Sequence, residues 1–162
     1  CANIGTAIML FPYLKTYSLR LGIAYVVFRF FESIAIVIGL ISMLSLLSLS
    51  QHYSAGMQHL EAYQSAGIAL KAIHNWTFIL GPHFFLGINT GIYSYVLLKA
   101  YLVPKPLAAM GIVGAGMIFI ASLLELLGRM QVNSTPLILM ALPIALYEMI
   151  LATWLIVKGY RY

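Results

Sequence analysis

Apolar residues run in five long stretches along the chain, and charged residues collect mainly in the gaps between them. The first stretch, 1–14, covers only about 20 Å at helical rise, against a hydrocarbon core ~30 Å thick, so it is predicted as a partial span. The second runs over 21–49. The third, 68–98, is too long for a straight crossing and carries Gly81-Pro82 inside it. A kink is predicted at Pro82, because its ring removes a backbone donor and clashes one turn back. The fourth and fifth stretches cover 107–128 and 136–157, the last opened by a helix-start proline, Pro136. The polar stretch 50–67 reads as a loop, with 57–64 able to form a short interfacial helix, and 129–135 reads as a second loop. A bilayer core forces each crossing segment to satisfy its backbone internally. The pattern therefore predicts one all-α domain: a polytopic transmembrane helix bundle of four full spans plus a partial N-terminal one.

Composition sharpens this picture. Hydrophobic residues make up 62% of the chain and charged residues 8%, and Asp is absent. A soluble domain cannot cover itself with so little charge. The net charge of +5 comes from basic residues at segment ends, where positive-inside topology and anionic headgroups account for them. Nucleic acid is accordingly not an expected partner. The alternation of basic residues places 15–20, 99–105 and the C-terminus in the cytoplasm and 50–67 outside. The predicted location is the cell (inner) membrane. Cys1 is the single cysteine, which rules out an intramolecular disulfide. The chain starts without Met inside an apolar run, so upstream residues are expected to be missing.

Charges inside a membrane segment cost on the order of 2.5–3.5 kcal/mol each at a helix centre, which makes them the most informative positions. Counted inward from the nearest basic end, Arg29 lies about 14 Å deep, Glu32 about 18 Å, and Asn89 and Glu148 about 15 Å. Three helices thus contribute to one polar layer. Arg29 and Glu32, three apart, share a helix face and can pair. Glu148 then needs its own partner, since one Arg against two carboxylates leaves a net negative charge in a low dielectric. A proton on one Glu, a shared proton, a bound cation, or Arg29 bridging both carboxylates would each resolve it. The last of these is a purely structural clasp.

Glu125 and Arg129, with i,i+4 spacing and the favourable order, are predicted as a structural pair. Lys71 and His74 share an outer face that can meet an anionic group. His74 and His83 are nine apart and face opposite sides of a regular helix, so they cannot grip one ligand together. His52, His59, Glu61 and His74 fit no zinc motif. No metal and no cofactor are expected. Nucleophile-elbow, metalloprotease and phosphate-loop templates are missing, so no catalytic residue is assigned. Gly87-x-x-x-Gly91 and the run Gly111, Gly114, Gly116 read as small faces for close helix packing.

Four runs carry a family resemblance: FRFFES around Arg29 and Glu32, HNWTFILGPHFFLG, LVPKPLAAMG, and ALYEMILATWLIVKGY. Together they resemble the bacterial domain-of-unknown-function family 4386 (DUF4386) over nearly the whole chain. The resemblance implies a six-helix inner-membrane bundle, with one upstream helix missing here. It implies no activity, and it points to Arg29, Glu32, His74 and Glu148 as positions to test. Pro106, two residues after Pro104, departs from the family's turn and stiffens it.

The first functional expectation is small-ligand, lipid or cation binding, proton-coupled or not, at the mid-membrane cluster of Arg29, Glu32, Asn89 and Glu148. The alternatives are a structural or accessory membrane subunit and an intramembrane enzyme. Expected partners are membrane lipids, a hydrophobic ligand or cation, and either a homo-oligomer or a larger membrane complex.

Overall fold

The computed structural model of the protein describes residues 2–53, 60–130 and 134–159. Among the described residues every regular element is helical: α1 (Ala2–Tyr17), α2 (Leu19–Tyr53), α3 (Leu60–Phe78), a π-helical segment (Ile79–Phe85), α4 (Leu86–Lys99), α5 (Lys105–Leu126) and α6 (Thr135–Lys158). The boundaries follow local chemistry. Pro104 precedes α5 and Pro106 sits in its first turn, where a missing N–H costs nothing. Past its end, Gly128 takes φ 68°, the left-handed conformation that closes a helix. Gly159 follows α6 with φ 65° and ψ −168°, a positive-φ conformation that also favours glycine.

Among the described residues three helices are long and apolar enough to cross a membrane: Leu19–His52, Lys105–Leu126 and Thr135–Lys158. The stretch expected as one kinked span over 68–98 is helical throughout, as α3, the π segment and α4 in unbroken succession. Pro82 lies within the π segment, so the predicted kink takes the form of a widened turn. Helix α3 begins at Leu60, which makes the second half of the predicted 50–67 loop helical. Residues 57–59 of the predicted interfacial helix, His59 among them, Cys1, and residues 131–133 of the 129–135 loop lie outside the described residues. A proline unremarked in the sequence reading, Pro143, sits inside α6.

The helices pack in chain order, α1 on α2, α2 on α3, α4 on α5 and α5 on α6, and the π segment docks against both α2 and α5. Small residues set the tightest approaches. A Cβ on Gly114 would meet the Ile144 backbone of α6 at 3.0 Å, and one on Gly87 would meet Phe119 and Ala115 of α5. Gly91 and Gly116, expected to share this role, are not pinched: only the Ala115 Cβ comes near the first, at 3.8 Å, and nothing comes near the second. The apolar core joins Leu14, Tyr25, Val96, Leu97, Ala108 and Tyr147. The outside is itself apolar, with Ile8, Met9, Leu40 and Ile156 exposed, as a lipid-facing surface requires.

Candidate functional site

The polar layer is organised around Glu32. Helical geometry alone brings Arg29 to it across one turn, with Nη1 donating to Oε2 at 2.9 Å and to Oε1 at 3.1 Å. Tertiary packing adds the rest. Asn89 of α4 donates to Oε2 at 2.7 Å, and Asn3 of α1 donates to Oε1 at 3.0 Å. Arg29 and Glu32 are both buried, with 8% and 3% exposure, and Asn89 is wholly enclosed. A buried carboxylate is tolerable only when its lone pairs are met, and here donors from three helices meet them. The guanidinium also reaches Thr6 of α1, whose Oγ1 accepts from Nη2 at 3.5 Å.

Glu148 is treated differently. It is half-buried on α6, beside fully buried Tyr147, and within electrostatic reach of Arg29 and Glu32. Among the described residues no hydrogen bond or ion pair reaches its carboxylate. Arg29 therefore does not bridge the two carboxylates: its Nη1 goes to Glu32 and its Nη2 to Thr6. Arg29 Nε and Asn89 Oδ1 are enclosed and have no hydrogen-bond partner among the described residues, while the Tyr25 hydroxyl lies near Thr6 and Arg29 and the Thr90 hydroxyl near Tyr93. The first two offer a donor and an acceptor to water or a small ligand.

Three tyrosines wall this region. Tyr25 meets the edge of Tyr93 at 5.9 Å, and Tyr93 stacks on Tyr147 at 6.1 Å with a 17° interplanar angle. Ser94 donates to the Tyr147 hydroxyl at 2.9 Å, and Gly111 makes room for both. Asn3, Thr6, Tyr25, Thr90 and Ser94 escaped the sequence reading. The signal for the first two was an i,i+3 polar pair inside an apolar run; Thr90 and Ser94 form an i,i+4 pair.

A second buried cluster corrects an expectation. Glu125 does not pair with Arg129; its Oε2 lies 2.7 Å from Nδ1 of His83, with side-chain exposures of 0% and 9%. The physical reason is that α5 stops at Leu126 and turns through Gly128, so the i,i+4 relation is never realised. Arg129 is exposed. On the partner side, the π segment shifts His83 out of the phase a regular helix would give it and seats it between α5 and the edge of Phe78. Oε1 of Glu125 is enclosed and unpartnered. His74 is elsewhere: its Nδ1 is 3.2 Å from the Gly39 carbonyl of α2, while Lys71 is exposed. Among the described residues no group of three or more metal-ligating side chains comes together.

A family model described as a domain of unknown function, DUF4386, matches residues 1–159. No curated protein and no solved structure matches the chain.

Proposed function

The chain belongs to the DUF4386 family, and on its geometry we propose that it is a multi-pass inner-membrane protein that binds a small cation, a proton included, at Glu148. In this reading the composite stretch 60–99 crosses as a fourth span, and the C-terminus is cytoplasmic, as the basic residues of 15–20 and 99–105 favour. The observation that carries the proposal is the unequal treatment of two acids near one arginine. Glu32 is neutralised by Arg29 and held by Asn3 and Asn89, whereas among the described residues Glu148 has no such donors. An uncompensated carboxylate in a bilayer bundle is a standing demand for positive charge. Tyr147 and Tyr93, with the Thr90 hydroxyl beside Tyr93, supply oxygen atoms in the same region.

Replacing Glu148 by Gln tests this. The full-length protein and the variant are reconstituted in nanodiscs, and thermal unfolding is followed against pH and against sodium, potassium and tetramethylammonium chloride at constant ionic strength. A cation at about 100 times its Kd stabilises a folded protein by about 2.7 kcal/mol. The wild type should gain stability with protons or one cation, and Glu148→Gln should fold normally and lose that gain. An identical response in both proteins, or a flat response in the wild type, would leave the accessory-subunit reading. That reading draws on the Glu32 clasp, which fixes helix register whatever Glu148 does.

A further inference from the structure

We propose that the groove between α4 and α5 is a seat for one anionic phospholipid, with its acyl chain along the helices and its headgroup at Lys99 and Lys105. This site is separate from Glu148 and rests on the reading above only in that 60–99 crosses the bilayer. The groove is lined by Gly87, Ile88 and Gly91 of α4 and by Ile112, Gly116 and Phe119 of α5, with Tyr95 towards one end. Its width comes from the glycines: beside Gly116 there is open space where a side chain would stand. Its faces lead to cations. Along α4 the positions 88, 92, 95 and 99 follow one helical stripe, and along α5 so do 105, 112, 116 and 119. Lys99 and Lys105 therefore stand at the same end of the groove, on the faces that line it.

Aromatic rings hold both lysines in place. The Lys99 ammonium lies 6.0 Å from the Tyr95 ring centroid, and the Lys105 ammonium 5.4 Å from that of Tyr101. Tyr17 meets Tyr95 edge-on at 6.4 Å, placing the α1 end at the same level. Tyrosines and lysines together are the interface-anchoring set, and they can meet a phosphate. The length fits as well. Twelve residues separate Gly87 from Lys99, or about 18 Å of helix, close to one leaflet of a core ~30 Å thick. A second copy of the chain would present an apolar helix to the glycines but would set its own basic ends against Lys99 and Lys105. Charge complementarity therefore selects the lipid.

The test is native mass spectrometry of the full-length protein released from nanodiscs containing equal phosphatidylglycerol and phosphatidylcholine. Wild type should retain phosphatidylglycerol preferentially. Gly116→Leu fills open space, so it should fold and lose the retained lipid; Gly91→Leu, facing only the Ala115 Cβ at 3.8 Å, is the second groove-filling variant. The double variant Lys99→Gln/Lys105→Gln should keep a bound lipid but lose the anionic preference, by roughly fivefold per lysine. Equal retention of the two lipids by the wild type overturns the proposal. So does retention of phosphatidylglycerol by both filled variants, or a wild-type dimer that dissociates when the groove is filled, which would make a second copy the occupant.

Discussion

Replacing Glu32 by Gln removes the charge that Arg29 was buried to meet. The substitution keeps the shape and leaves Asn3 and Asn89 a possible acceptor, so the loss is mainly electrostatic. Breaking a buried pair by removing one partner costs about 3–5 kcal/mol, because an unpaired charge stays behind. Arg29 is 8% exposed, but Glu148 stays within its electrostatic reach, so the lower half of that range applies. Asn89→Leu is milder: it deletes one bond of 2.7 Å to a charged acceptor that retains Arg29 and Asn3. Ordinary interhelical bonds in bilayers average about 0.6 kcal/mol, whereas bonds to charged groups reach about 1.5–3 kcal/mol. The enclosed charged acceptor decides for about 1.5 kcal/mol or more. The double variant Arg29→Met/Glu32→Leu removes both charges but orphans the Asn89 amide, at about 1–3 kcal/mol. Adding Asn89→Leu should bring stability back near wild type. The assay is reversible unfolding of the full-length protein in mixed micelles on titration with sodium dodecyl sulfate. A Glu32→Gln loss below about 1 kcal/mol, or a triple variant as unstable as Glu32→Gln, would refute the claim that this charge pair is the costly element of the layer.

The second cluster reverses the ranking expected from sequence: Glu125→Leu should cost about 1–3 kcal/mol by stranding His83 Nδ1, and Arg129→Ala less than about 0.5 kcal/mol, measured by the same unfolding titration. Equal losses would restore the Glu125–Arg129 pair. Glycine positions should split in the same way. Gly111→Ala drives a Cβ into Ser94 Oγ and the Tyr147 ring and should cost about 1–3 kcal/mol, while Gly116→Ala meets nothing and should be neutral or stabilising by up to about 1 kcal/mol. Thermal unfolding in nanodiscs reads both, and a harmless Gly111→Ala would contradict the close approach of α4, α5 and α6 at that level.

Class and local geometry were legible in the chain itself. Lipid solvation demands long apolar helices, so hydropathy alone marks α2, α5 and α6. The three-residue spacing that joins Arg29 to Glu32 is a property of one helix turn, and the i,i+3 rule finds it without any fold. What a linear reading could not reach was everything set by packing. It counted inward depth correctly enough to group Asn89 with Glu32, but not which donors would saturate one carboxylate and leave Glu148 out. Regular helices place His83 opposite His74 but say nothing of Glu125, and they continue α5 through Gly128 to Arg129; a π segment at Ile79–Phe85 and an early helix stop decide both points. Short-range periodicity determines which residues share a face of one helix. Which faces meet is decided by helix phase, helix ends and the glycines that let backbones approach, and those act between segments far apart in the chain.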